Sequence, residues 1–348
     1  MHLGRKVISA IMVSALIVPV FSIAVGTGSV AKAEGAYNVT DAEFGAVPND
    51  GNDDTAAINK AIEECSREGG GTVTIPAGTY NIDAAYDKKM GDNRGRGIVL
   101  ASNITLIMDG ATLKVKGNKL DDYQVIALDS VNNVTIKGGT ISGERSSHKG
   151  KKGEYGHGVS IWNGTNINIS DMKINNNWGD GIYIGSQNDD RKDLKNPDKI
   201  TISNCTISNN RRNNISITRG SNITIDGCKI KQANGIAPQA GIDIEPNGVN
   251  GKIPKNRICK NITIKNTEIT VKKKDNNHFA FVTISYGGNS KKVTSCQNVK
   301  ITNCNFKGNV GNYTGKKVTI TNTKIGGTFY DMRNTKLKKT TYKGLWKW

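Results

Sequence analysis

The chain has 348 residues, with 48 Lys and Arg against 30 Asp and Glu, a formal charge of +18, and six cysteines. Six cysteines are too few to staple a chain of this length, and without a CxxC or HExxH spacing zinc is not expected. The charge points to an anionic polymer as partner, such as uronate polysaccharide or cell-wall phosphate, and no base-stacking motif or recognised module points to nucleic acid.

In chain order, Arg5 and Lys6 precede an apolar run from Val7 to about Val25, and "AKA" at residues 31–33 has the small-residue form of a cleavage site. Residues 1–33 read as a secretory signal peptide, which predicts an extracellular protein. No later run approaches the ~18 apolar residues that a membrane span needs. Removing three basic residues leaves 18 − 3 = +15. Residues 34–348 read as one domain. Within it, 34–72 form an N-terminal cap in which Asp53 or Asp54 caps a helix over "TAAINKAIEECSREGG", ended by Gly69–Gly71.

From "GTVTIPAGTYNI" onward a short pattern repeats: Asn, then alternating β-branched residues, as in "NVTIKGGTI", "NINISDMKI", "KITISNCTI", "NITIDGCKI", "NITIKNTEI" and "KVTITNTKI". Each copy reads as two short strands around a Gly/Asn/Asp turn, and a third strand precedes most copies, as in "GVSIW", "GIYIG", "NISIT" and "GIDIE". Three short strands per turn, stacked in register, specify an all-β, single-stranded right-handed parallel β-helix with an N-terminal capping helix. Rungs are expected over 73–330 and a basic tail over 331–348. The Asn before each strand is expected to form a side-chain ladder, although many of these positions are also formal N-x-[ST] sequons. Cys205, Cys228 and Cys304 recur in matching contexts and read as stacked apolar residues. A Cys259–Cys296 bridge stays open.

Aligning the third strands gives inward pairs from Ile98/Leu100 through Val159/Ile161, Ile182/Ile184, Ile215/Ile217 and Ile242/Ile244 to Val282/Ile284. The outward columns then gather polar residues on four consecutive rungs. Asp180, Asp243, Glu245 and His157 are the catalytic candidates; Arg211, Arg212, Tyr183 and Trp162 are the substrate-binding candidates. Trp178 suits a sugar platform or a turn. Asp180 before Gly181, His157 between glycines and the arginine pair each also suit an ordinary turn. Asp243 and Glu245 are two outward acids on one strand and need a proton or a cation between them. Long connections beside these rungs read as walls of a groove for a chain-like ligand.

The segment "FGAVPNDGNDDTAAINKAIEECSREGGGTVTIPAGTYNI" resembles the opening of the pectate-lyase superfamily, which includes polygalacturonase-like hydrolases, polysaccharide lyases and uronate epimerases. The resemblance implies a polysaccharide-active enzyme. In the hydrolases an Asp, an Asp pair and a His occupy successive rungs. Asp180 in "WGDGIYI" resembles the first, "RRNNISI" stands where the pair would be, and His157 lies one rung before Asp180 instead of after it.

Three readings follow. A hydrolase would use Asp180 with Asp243 or Glu245, the loop acids Asp189 or Asp190 shortening the gap, and would need no cofactor. A lyase or C5-epimerase would neutralise a uronate through Arg211, Arg212 or His157, or through Ca2+ held by Asp180, Asp243 and Glu245. A non-enzymatic solenoid would adhere to a cell-wall polymer through the basic C-terminal region.

Overall fold

Asn followed by alternating Ile and Thr dictates the local structure. The leading Asn takes the left-handed backbone conformation at Asn103, Asn133, Asn166, Asn222, Asn261 and Asn298, with φ between 54° and 63°. Asn tolerates that region better than any other residue with a side chain, so it turns the chain at a fixed place. After the turn, alternation sends every second side chain inward: Ile223 and Ile225 are fully buried while Thr224 between them is partly exposed.

The protein is described by a computed structural model over residues 35–87, 94–186, 195–250, 252–271, 278–285 and 292–347. Its strands form three sheets of 11, 9 and 10 strands. Each strand pairs in parallel with its counterpart one turn away, so the chain winds as a parallel β-helix. The first sheet carries the Asn-led strands, the second the short strands after the turn, and the third the strands preceding each motif. The signal peptide expected over 1–33 lies outside the described residues. No helix among the described residues is long and apolar enough to cross a membrane.

The core is a set of aligned columns. Ile136, Ile169, Ile202, Ile225, Ile264, Ile301 and Ile320 stand in direct register along the first sheet, all without exposed surface. Each such side chain contributes roughly 1.5–3 kcal/mol by burial. The expected ladder is present at the turn: Asn133 Nδ2 donates to Asn103 at 3.0 Å, Asn166 Nδ2 to Asn133 at 2.8 Å, and Asn298 Nδ2 to Asn261 at 3.1 Å. Asn133→Ala is expected to destabilise by about 1–2 kcal/mol, from two lost links and a left-handed backbone that Ala resists. Asn133→Gly, which keeps the backbone, is expected to cost less. Urea denaturation of the two variants checks the order.

Capping differs in detail from expectation. The helix spans Thr55–Arg67 with Asp54 at its N-cap position, but the Asp54 carboxylate does not cap it. It accepts instead from the Val47 and Asn81 amides at 2.9 and 3.1 Å, tying the cap to the first rung. Asp53 accepts from the Thr55 amide at 3.0 Å. Gly70 ends the helix where a Cβ would lie 2.5 Å from the Asn103 carbonyl.

At the other end, residues 331–347 are not a free tail. Lys336–Lys338 joins the first sheet and Gly344–Lys347 pairs with Thr328–Asp331 in the third. All six cysteines are buried free thiols, and Cys259 and Cys296 are register partners on neighbouring rungs.

Candidate active site

The third sheet sets the positions of the polar residues. Val159, Ile182, Ile215 and Ile242 align inward, and Ser160, Tyr183, Ser216 and Asp243 align outward on successive rungs about 4.8 Å apart. Ser160, Ser216 and Asp243 are at most 2% exposed, so the outward column lies beneath a further layer of side chains.

Arg212 is the centre of that layer. Its Nη1 donates to Asp180 Oδ2 at 3.1 Å, its Nε to Glu154 Oε2 at 3.1 Å, and its Nη2 lies 3.7 Å from Glu245 Oε2. Burial alone would lower its pKa, but Asp180, Asp243, Glu245 and Glu154 outweigh that and raise it. A planar fork is what lets one cation serve several carboxylates in different directions. Glu154 reaches the cluster because Gly179 lets two segments touch: a Cβ on Gly179 would lie 2.6 Å from the Glu154 carbonyl and 2.8 Å from the Gly156 amide.

Asp243 and Glu245 sit side by side on Ile242–Ile244 and the residue after it. Burial, then the charge of Glu245, pushes the Asp243 carboxyl well above the ordinary carboxylate range, and burial also raises Glu245 against the opposing pull of Arg212. Asn213 Nδ2 donates to Asp243 Oδ2 at 3.3 Å, while Asp243 Oδ1 is buried without a hydrogen-bond partner. Two buried carboxyls this close favour keeping a proton between them. Glu245 is the outer member, with 18% of its side chain exposed.

Asp180 lies at the buried side of the cluster. Its side chain has no exposed surface; Oδ1 accepts from the Asn213 amide at 2.8 Å and Oδ2 from Arg212. It joins Arg212 to the turn at Asn213. His157 is 2% exposed, its ring stacked on Tyr183 at 4.8 Å and 14°. Its Nδ1 accepts the Asp180 amide at 3.1 Å, which leaves the ring proton on Nε2.

Burial pushes the His157 pKa down to about 4 from 6.5, despite the attraction of Asp180. The unfolded chain therefore binds this proton more tightly. Stability from a neutral His157 is complete above about pH 6.5, is lost as pH falls, and levels off below about 4. The loss is on the order of 3 kcal/mol. His157→Gln keeps an acceptor for the Asp180 amide without titrating. Denaturation of both proteins at pH 7 and pH 4 should show the wild type losing more; equal losses would remove the argument.

A family model described as "Right handed beta helix region" matches residues 86–244 and 157–329. The chain belongs to the right-handed β-helix family. A second model, "Rhamnogalacturonase A/epimerase, pectate lyase-like", matches residues 36–91, the capping segment whose sequence carries that resemblance. The protein YclG of Bacillus subtilis is 36% identical over 220 residues, 60% of this chain and 38% of its own length. The mannuronan C5-epimerase AlgE4 of Azotobacter vinelandii is 32% identical over 121 residues, 33% of this chain and 21% of its own. The chain therefore spans well under half the length of either relative. Among solved structures, the tailspike gp49 of Acinetobacter baumannii bacteriophage Fri1, a capsular polysaccharide depolymerase, superimposes with a TM-score of 0.64 at 16% identity, over 90% of this chain and 57% of its own. The AlgE4 A-module gives 0.52 at 16% identity, over 90% and 99%. At these identities the structures share the right-handed β-helix fold alone.

Not every expected residue joins the cluster on this right-handed β-helix. Arg211 turns away, its guanidinium 3.6 Å over the Trp178 ring and donating to the Gly153 carbonyl at 2.9 Å. Trp178 is thus a packing partner and not an open platform. Trp162, expected to stack on sugar, is 5% exposed beneath Arg94, 4.7 Å from its ring. Asp189 and Asp190 lie outside the described residues. The seventh third-sheet strand is shifted by one position: Ile242 and Ile244 pair with Phe281 and Thr283, not with Val282 and Ile284, next to an irregularity between Phe279 and Phe281.

Asp180, Asp243 and Glu245 do not fit calcium in this arrangement, because the Arg212 guanidinium already supplies the positive charge among them. Among the described residues no group of three or more His, Cys, Asp or Glu is arranged to hold a metal ion. Glu154 was missed by sequence reasoning. Its signal is the length of Tyr155–Trp162, which continues the ladder back to Asp122 and so carries the preceding residue to the cluster.

Proposed function

We propose that the protein is an extracellular polysaccharide hydrolase in which Glu245 and Glu154 exchange protons with the substrate across Arg212. The observation that carries this reading is the placement of Asp243 and Glu245 side by side, with Glu245 the exposed member 3.7 Å from Arg212; burial raises both carboxyls, Asp243 the more strongly. Glu154 is 37% exposed and bound to the same guanidinium. Both carboxyl groups meet Arg212, and direct attack by water calls for a separation of ~6.5–9.5 Å between them. Glu245 gives its proton to the glycosidic oxygen as the C–O bond breaks, water adds to the sugar carbon, and Glu154 takes the proton that water releases. Asp243, the more strongly raised of the two, is the reservoir of that proton and passes it to Glu245, and Asp180 and Asn213 position Arg212 and the pair.

A lyase or C5-epimerase is the second reading, supported by the AlgE4 segment of 32% identity and by Tyr183 stacked on a neutral His157. It needs a cation for the uronate carboxylate, and Arg212 is already committed to the surrounding acids. The depolymerase and epimerase named among the similar proteins support a polysaccharide as substrate class.

Incubation with a panel of acidic and neutral polysaccharides separates the readings. New reducing ends without ultraviolet absorbance are expected. An unsaturated uronide would indicate elimination, inverted uronates without cleavage would indicate epimerisation, and binding without turnover across the panel would reduce the protein to a wall-adhering solenoid.

A further inference from the structure

Beyond the acid cluster the outward face of the third sheet becomes aromatic. Phe279, Tyr313, Tyr330 and Trp346 follow one another over its last four turns, with ring centroids 6.0, 6.3 and 6.5 Å apart in sequence. Tyr313 and Tyr330 are within 21° of parallel. Gly311, Tyr330 and Trp346 occupy one register column. A Cβ on Gly311 would meet Tyr313 at 2.5 Å and Phe279 at 3.1 Å, so these two rings lie across its backbone. The inward column here is already filled by Phe281, Val310 and Phe329, each without exposed surface. The outer rings are therefore additional to the core, and Trp346 is 56% exposed. Phe279, Tyr313 and Tyr330 are partly exposed, and a continuous aromatic surface of this kind marks a binding site.

Charge identifies the occupant. Residues 291–348 carry 13 Lys and Arg against one acid, Asp331. Asp331 is 3% exposed and occupied with the Thr335 amide and hydroxyl at 2.9 and 2.8 Å, so the surface of this end is cationic. Lys343 and Lys347 are exposed on this last turn.

We propose that this face is a binding track for an acidic polysaccharide, with sugar rings lying on Tyr313, Tyr330 and Trp346 and their carboxylates meeting Lys343 and Lys347. Rungs advance ~4.8 Å each, close to the length of one sugar in an extended chain, so successive rings meet successive sugars. The track lies on the same sheet as Glu245, and one polymer can reach both; in that respect the inference rests on the hydrolase reading.

The test uses the full chain carrying Glu245→Gln, so that polymer is bound and not consumed, titrated with polygalacturonate, with alginate, and with galactomannan as the neutral control. Trp346→Ala and Tyr330→Ala are each expected to weaken binding of the uronates about fivefold to tenfold, the size of a truncated aromatic contact. Lys343→Gln with Lys347→Gln should weaken the uronates and leave the neutral polymer unaffected. Undiminished affinity in Trp346→Ala, equal affinity for galactomannan, or a changed oligomeric state in place of changed affinity would overturn the proposal. Trp346 lies on the outermost strand, so its removal decides the matter even where Tyr330→Ala fails to fold. Turnover with Glu245 restored is read separately. Binding lost in Trp346→Ala without any turnover upholds the track and sinks the hydrolase; turnover with intact binding does the reverse.

Discussion

Arg212→Met is expected to destabilise the protein by about 3–5 kcal/mol, the cost of removing one partner from a buried ion cluster. Asp180 has no exposed side-chain surface and would lose its Nη1 donor at 3.1 Å, while Glu154 and Glu245 would face each other without the cation between them. The carboxyls can relieve the strain only by taking up protons. Asp243 and Glu245 are already raised, and without Arg212 they rise further. The deficit should therefore be largest at high pH and shrink as pH falls. Arg212→Lys should fall between wild type and Met, because a single ammonium cannot fork toward three carboxylates. Urea denaturation across pH measures all three proteins. A loss below about 1 kcal/mol for Met, the range of an exposed ion pair, would mean that the cluster is not the buried network described.

Glu245→Gln is expected to lower kcat by about 10²–10⁴-fold with little change in KM, since it preserves shape and removes the exchangeable proton. Asp243→Asn should act through Glu245 and displace the pH profile. In the wild type, activity should fall as pH rises through the pair's elevated pKa, because the proton needed by the leaving oxygen is then gone. Asp243 pulls the Glu245 carboxyl down by acting as its protonated partner, so without that proton the limb should move to higher pH. Glu154→Gln should match Glu245→Gln in kcat. Full activity in Glu245→Gln would discard the assignment, and a KM effect alone would make the residue a binding group.

Sequence reasoning went furthest where one interaction dominates. Asn at the turn and alternating Ile announce the rung, because backbone conformation and burial act locally and repeat. The convergence of Asp180, Asp243, Glu245 and Arg212 was legible through the same register. The direction of each side chain was not. Arg211 and Arg212 are adjacent, yet one covers Trp178 and the other joins the acids, which depends on how the connection from Gly143 to Glu154 folds back over them. Trp162 disappeared beneath Arg94, a residue more than sixty positions earlier. The shifted register at Phe281 follows a local irregularity that alternation alone cannot reveal.

The spacing of the corners has a further consequence. Between first- and second-sheet strands the gap is two residues on turn after turn, from Gly138–Gly139 to Asn322–Thr323. Between third- and first-sheet strands it ranges from two residues, Asn163–Gly164, to the fourteen of 245–258. One corner works as a gauge that holds the pitch, while the opposite corner is free to lengthen or shorten. Ligand preference can thus drift through insertions at that free corner without retuning the scaffold, and chimaeras exchanging those segments between related solenoids should fold with their parent's pitch.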